Sequence, residues 1–401
     1  MTSRERVRAV LNHEMPDRIP NGLGGCETAG MHVITYDKLQ ALLGLKRVPP
    51  RLDTFMTNAV FEPEVLAAMG GDILLVDSHR MCPSPLRGHW EKEWKEQELW
   101  NKTFRVPVSE QFEVHSDGSI TWLTTNTHCP AGSWFFNSGG HADLLEDFDF
   151  PSPNDYNPPL DLPESTLRRL EKTARGLYEE TEFSLCMGET ITDLQYLPGG
   201  MVGGMVYLLE EPDEMAEILE KSVHSALSQL KLLEQAVGKY VDILSIAHDF
   251  GDNRCVTMGA PLWRRIYKPY YKKLFEGWKK ISNMKINLHS CGAIHEILPD
   301  LIECGLDVYN PVQISGDGMD PSELKAKFGK DLVFWGGAYD TQLNPPTDTY
   351  GKVYSRVFET IRSLSKNGGY IMAGVHNLPP EVPEEHIQAI LDAWKDCSEY
   401  Q

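Results

Sequence analysis

The chain has 401 residues, 41% of them hydrophobic and 24% charged, which supplies a sizeable core and excludes a disordered polymer. Thirty-eight Lys and Arg against 58 Asp and Glu leave a net charge of −20, and so acidic a surface argues against binding nucleic acid or a membrane surface. No run approaches the ~20 apolar residues of a spanning helix. The start, Met1-Thr2-Ser3-Arg4-Glu5-Arg6, is charged, unlike a secretory signal. Eight cysteines without framework spacing suit a reducing compartment, so a soluble cytoplasmic protein is expected.

Thr2 and Glu5 fit a capping box that opens a helix over 3–13, with Val7, Val10 and Leu11 as its apolar stripe. Pro16-Asp17-Arg18-Ile19-Pro20 ends it. The Gly-rich run Asn21-Gly22-Leu23-Gly24-Gly25-Cys26-Glu27-Thr28 lacks the Lys-Ser/Thr ending of a phosphate loop and reads as a tight strand-to-helix turn. A helix over 63–69 precedes a buried strand over 72–77. From about 80 to 165 the composition turns to Trp, His, Pro and Asn, and Phe112–Leu123 reads as a hairpin around Ser116-Asp117-Gly118. That stretch is expected to be an insertion or lid within one domain spanning 1–401. Pro151-Ser152-Pro153 and Pro158-Pro159 link it back to the scaffold.

From 165 onward helices and strands alternate. Helix 165–179, strand 183–187, helix 212–236 and strand 241–247 lead to a longer helix expected to kink at Pro269. Strand 286–289, helix 293–303 and strand 308–311 follow. Helix 320–328 opens on Asp320-Pro321-Ser322-Glu323, a cap followed by a first-turn Pro and an early acid. Strand 332–335, helix 350–366, strand 370–373 and helix 383–396 complete the run. Such alternation calls for a parallel sheet with crossover helices. No Gly-x-Gly-x-x-Gly turn follows an early strand, which weighs against a dinucleotide-binding open sheet. The expected fold is an α/β TIM barrel carrying an inserted lid-like segment.

In a barrel, chemistry belongs at the C-terminal ends of strands. The residues there are Asp77-Ser78-His79, Gly188-Glu189-Thr190, His248-Asp249-Phe250-Gly251, His289-Ser290-Cys291-Gly292, Asn310-Pro311-Val312-Gln313, Gly336-Gly337-Ala338-Tyr339-Asp340 and Gly374-Val375-His376-Asn377. His289 and Cys291, two apart, project to one side and offer half of a tetrahedral zinc site, with Gly292 letting the chain turn away. His376, at another strand end, is the candidate third ligand; Glu189 or Asp249 is a possible fourth. The alternative is a buried thiol beside an imidazole bonded to backbone, and the spacing alone leaves both open. His248 and Asp249 form a possible acid/base pair, although adjacent residues point to opposite faces. Glu189 is a candidate acid if its carboxyl is desolvated. Cys186 reads as core. No Gly-x-Ser-x-Gly elbow supports a serine hydrolase. Trp134, with Phe135 and Phe136, and Tyr339 are candidates for an aromatic substrate wall, and Asn377 for a substrate contact.

The run from His289-Ser290-Cys291-Gly292 through Asn310-Pro311-Val312-Gln313 resembles the uroporphyrinogen decarboxylase superfamily. Met319-Asp320-Pro321, Phe334-Trp335-Gly336-Gly337 and His376-Asn377-Leu378-Pro379-Pro380-Glu381-Val382-Pro383 continue the resemblance, as does the opening 1–20. Residues 80–165 match poorly. The resemblance implies a TIM barrel. Decarboxylases of the family carry an Arg-rich segment that grips the substrate carboxylates, but Asn21–Gly30 here holds no Arg or Lys. The corrinoid-dependent methyltransferases of the superfamily hold zinc with a His-x-Cys strand end and a ligand on the last strand. That pattern implies His289 and Cys291 as ligands, with His376 standing where thiol-methylating members carry Cys. The implied activity is transfer of a methyl group from a small methylated substrate, an aryl methyl ether foremost, to cobalt(I) of a partner corrinoid protein. The alternatives are a methylcorrinoid:thiol or pterin methyltransferase, a uroporphyrinogen decarboxylase and, last, a non-catalytic binding module.

Overall fold

A computed structural model describes residues 1–53, 56–76, 94–137, 152–198 and 200–398. The expected site segment Asp77-Ser78-His79 and part of the expected insertion lie outside them. The capping box forms: the Thr2 hydroxyl accepts from the Glu5 N–H at 3.2 Å, the Glu5 carboxylate accepts from the Thr2 N–H at 2.8 Å, and the helix runs Ser3–Leu11.

Seven strands lie parallel in the order Ile73–Leu75, Ser184–Met187, Ile243–Ala247, Lys285–His289, Val308–Asn310, Val333–Trp335 and Tyr370–Ile371. Buried on both faces, they read as short apolar runs without alternation. The seam between the first and last is closed by the Gly-rich run. Gly22 N–H donates to the Met372 carbonyl at 2.8 Å, Met372 N–H to the Pro20 carbonyl at 2.9 Å, and Asp72 N–H to the Asn21 carbonyl at 2.8 Å. Residues 20–22 are thus the eighth stave of a TIM barrel, where the sequence suggested only a turn. Gly22 is required there, because a Cβ would lie 2.5 Å from both Ile371 Cγ2 and Trp335 Nε1 inside the barrel.

The barrel interior is graded. Val7, Val10 and Leu11 of the first helix plug its floor and share a buried cluster with Ile73, Cys186, Ile243, Val308, Val333 and Ile371. Above lie the polar Ser245, Asn287 and Asn310, all buried, with Asn287 Nδ2 donating to Ser245 Oγ at 2.8 Å. His289, the last residue of its strand, stands at the mouth.

Around the barrel run helices Glu164–Glu180, Pro212–Val237, Lys268–Ile281, Pro321–Phe328, Tyr350–Leu364 and Glu384–Cys397. The expected kink at Pro269 is instead a break: Ala260–Ile266 and Lys268–Ile281 are separate helices, with Pro269 in the first turn of the second, where its missing N–H costs nothing. The helix expected over 293–303 is only Leu298–Cys304, because Pro299 likewise marks its start. Helices Val33–Leu42 and Gly200–Glu210 were not apparent from periodicity.

The region from 94 carries two small sheets. Strands Trp94–Leu99 and Lys102–Pro107 join Arg51–Leu52 and Ala59–Val60, so this sheet recruits chain from before residue 80. Phe112–Val114, Ile120–Trp122 and Thr127–Cys129 form the other, and the expected hairpin pairs Phe112 with Trp122. His32 joins this region to the barrel. Its backbone N–H donates to the Leu378 carbonyl at 2.9 Å, while its ring packs on Trp100, Trp134 and Phe135 at centroid separations of 5.4–6.1 Å. All seven cysteines among the described residues are free, and no described helix is long and apolar enough to cross a membrane.

Candidate metal centre

Strand Lys285–His289 places His289 between Ala247 and Asn310 of its neighbours. Two residues on, Cys291 returns to the same side, and its Sγ lies 3.5 Å from His289 Nε2. The chain must turn sharply after it. Gly292 adopts φ +90°, and any Cβ there would lie 2.3 Å from the Gly251 carbonyl carbon. Gln313 Oε1 accepts the Gly292 N–H at 2.7 Å, and the Ser290 hydroxyl accepts the Phe250 N–H at 3.0 Å, so adjacent strand ends are stitched together.

His376 arrives from the last strand, three places away in the sheet. Its loop is held by Val375 N–H donating to the Tyr339 carbonyl at 2.8 Å, and its ring stands 5.4 Å from that of His289. Ligand atoms of His289, Cys291 and His376 all lie within 4.8 Å of one another. The three residues expected to converge do so, at the mouth.

The electrostatics suit ligation. Burial pulls His376 down to about 4, with neighbouring His289 adding to the effect. Burial also holds His289 below the ordinary imidazole value, against the opposing influence of Asp249 and Asn310. Both rings are therefore neutral, the form that binds metal. Burial pushes the Cys291 thiol up to about 12, reinforced by Asp249 and Asp340, so a cation is needed to displace its proton. Two nitrogens and one sulfur match zinc, and three protein ligands leave a position open, as in catalytic zinc sites. Bonds of about 2.0 and 2.3 Å at a tetrahedral centre put N and S roughly 3.5 Å apart. The His289–Cys291 pair already has that spacing, so the residues fit the ion.

The other expected site residues divide. Asp249 is at the centre: its Oδ1 accepts the Cys291 N–H at 2.8 Å and lies 3.8 Å from His289 Nε2, with the side chain 58% exposed. His248 is turned away toward the helix layer, its Nδ1 2.9 Å from the Tyr271 hydroxyl and its ring against Phe250 and Tyr267. Strand alternation forces this, and burial pulls its pKa down to about 4. Glu189 is buried at the end of Ser184–Met187, and its backbone N–H donates to Glu27 Oε2 at 3.2 Å. Asn377 Oδ1 accepts the Gly30 N–H at 2.7 Å and so ties the Gly-rich segment to the His376 loop. Tyr339 does not face the mouth: its hydroxyl is 3.0 Å from His386 Nδ1 of the last helix. Trp134 packs on His32, whose backbone N–H bonds to Leu378, two residues along the chain from His376. Sequence reasoning missed Glu27, and it placed Asn310 at a strand end without a role. Both are buried polar residues whose partners, Glu189 for one and Thr28 and His289 for the other, only the fold reveals.

A family model described as uroporphyrinogen decarboxylase (URO-D) matches residues 177–397, more than half of the chain. Among solved structures, a methyltransferase from Methanosarcina mazei aligns over 99% of this chain and 99% of its own, with 14% identity and a TM-score of 0.57. That likeness concerns the fold alone. A GH113 beta-1,4-mannanase (11% identity, 57% of this chain and 79% of that one, TM-score 0.32) and a 7,8-dihydropteroate synthase from Vibrio fischeri ES114 (13%, 64% and 94%, TM-score 0.24) are too distant to argue from. Comparison with curated proteins found no match. With the matched segment containing His289, Cys291 and His376, the chain belongs to the uroporphyrinogen decarboxylase family.

Proposed function

We propose that this protein is a zinc-dependent methyltransferase that moves a methyl group from a small methylated substrate, an aryl methyl ether, to cobalt(I) of a partner corrinoid protein. The observation that carries the reading is the convergence of two neutral imidazoles and one thiol within 4.8 Å at the barrel mouth. In the transfer, cobalt's electron pair forms the bond to the methyl carbon while the carbon–oxygen bond breaks. Cobalt is oxidised by two electrons, and the oxygen leaves with the bonding pair. Phenolate is a mediocre leaving group, since a phenol's pKa is about 10, so stabilising its developing charge is the catalytic task. A zinc ion held by His289, Cys291 and His376 would supply Lewis acidity toward that oxygen. An imidazole at position 376 in place of a thiolate would keep such an ion electrophilic, which favours oxygen chemistry over thiol activation. Asp249, exposed at the rim with Oδ1 3.8 Å from His289 Nε2, is a carboxylate at the edge of this centre, and the leaving oxygen would take its proton from solvent. The aromatic residues that pack on His32, Trp134 included, are the candidate wall for a flat donor.

Decarboxylation of a polycarboxylate finds no support, because the segment that would have to be basic contributes the buried Glu27 instead. The test is anaerobic incubation with a cobalt(I) corrinoid protein and a panel of methylated compounds, following the cobalt spectrum, alongside metal analysis. Methyl ethers should methylate the cobalt. A zinc-loaded protein that methylates cobalt from no donor overturns the transfer, and a metal-free protein of full activity removes zinc from it.

A further inference from the structure

We propose that Asn310 is a positioning residue that fixes the tautomer of His289 and so aims its Nε2 lone pair into the space shared with Cys291 and His376. The inference rests on the metal reading above. Asn310 is fully buried at the end of strand Val308–Asn310, directly across from His289. His289 Nδ1 lies 2.8 Å from Asn310 Oδ1. An amide can be turned either way, so the question is which edge faces the ring. Asn310 Nδ2 lies 3.1 Å from the Trp335 carbonyl oxygen, which can only accept. That contact commits the amide: its NH2 faces Trp335, and its oxygen faces His289. Thr28 Oγ1, 3.0 Å from the same oxygen, donates into its second lone pair. Oδ1 therefore holds two donors, and one of them must be a proton on His289 Nδ1.

Nε2 is then left unprotonated, 3.5 Å from Cys291 Sγ. The circuit joins four elements: the His289 strand, the Asn310 strand beside it, the Trp335 strand beyond that, and the Gly-rich segment that carries Thr28. It gives that segment a chemical duty besides closing the barrel, and it explains an amide at zero exposure just above a layer of Val308 and Val333. Ring orienters of this kind set metal affinity by holding the ligand's free nitrogen in place.

The test begins on the metal-free wild-type protein labelled with 15N-histidine. The His289 signal, identified by its loss in His289→Gln, should show Nδ1 protonated and Nε2 bare. The opposite tautomer overturns the inference without any further variant. Asn310→Ala should give a mixed tautomer and bind zinc about 10–100-fold more weakly in chelator competition. Asn310→Asp, which keeps an acceptor toward His289 but sets an oxygen against the Trp335 carbonyl, should keep Nδ1 protonated and recover only part of the affinity. A folded Asn310→Ala protein with wild-type tautomer and affinity also overturns it. Wild-type protein that takes up no zinc would instead defeat the metal reading, and the tautomer spectrum would still decide the role of Asn310.

Discussion

The rigidity of the candidate centre begins with single residues. Gly292 is the sharpest case, since a side chain there meets both the left-handed backbone and the Gly251 carbonyl carbon. A left-handed non-Gly residue costs roughly 1–2 kcal/mol, and overpacking against backbone about 1–3 more. Gly292→Ala should therefore lose about 2–5 kcal/mol in urea unfolding and carry less zinc, because Cys291 is displaced with the turn. Stability within 1 kcal/mol of wild type would show that the Gly251 segment yields freely. For the ligands the expectation is steeper. Loss of a residue that merely orients a ligand costs about 10–100-fold in metal affinity, so loss of a ligand itself should cost more. Ala at 289, 291 or 376 should each weaken zinc beyond that range with circular dichroism unchanged, and full retention in any one would remove that residue from the set.

Between elements, the joint at His32 is the sensitive one. As the cap of helix Val33–Leu42, its Nδ1 accepts the Ile34 N–H at 3.1 Å, which leaves the Nε2 proton for the Trp134 carbonyl at 3.2 Å. Burial among aromatic rings pulls its pKa down to about 4. The unfolded chain, near 6.5, takes up the proton first, so stability falls as pH drops through the window from 6.5 to about 4, by at most about 1.4 kcal/mol per pH unit from this group. Protonation also removes the cap, since Nδ1 can no longer accept. Acid titration should loosen Trp100 and Trp134 in fluorescence before the barrel unfolds, and His32→Gln should flatten that dependence; an unchanged slope would exclude His32 as its source. The elements themselves were legible where burial on both faces leaves a mark. Segments such as Phe183–Met187 and Val241–Ala247 stand out as apolar runs between helices of clear period. Proline was the main source of error: Pro269 and Pro299 each start a helix, and the sequence reads equally well as a longer helix containing them. At the site, His289 and Cys291 were visible because two residues of a strand end share a side. Tyr339 was misplaced for the same reason that His248 was doubtful, namely that a strand end does not say which face a residue takes. Asn310 was visible as a strand-end residue but not its role, because that lies in contacts to Thr28 and Trp335 that no local pattern encodes.

At the scale of the whole molecule, the mouth holds its shape only if the barrel is closed, and closure concentrates on Asp72. Its carboxylate is fully buried and accepts from Arg6 Nη1 at 2.7 Å, Arg18 Nη1 at 2.7 Å, Arg18 Nη2 at 2.9 Å and the Asn21 backbone N–H at 2.8 Å. One side chain thus ties together the helix that plugs the floor, the eighth stave and the start of the first parallel strand. The same short stave runs on into Glu27 and Thr28, so slack at the seam is transmitted toward the mouth. Removing one partner of a buried ion pair strands the other charges, at a cost of about 3–5 kcal/mol. Asp72→Ala should therefore lose that much in denaturant unfolding. Hydrogen exchange at the amides of Asn21, Gly22 and Met372 should speed up ahead of the strands on the far side, such as Ile243–Ala247. Because the Thr28 contact to Asn310 depends on the stave, zinc affinity should fall as well, although Asp72 sits near the barrel floor. A variant with a loosened seam and undiminished zinc affinity would show that the mouth is braced by its own loops, and that closure at the floor serves stability alone.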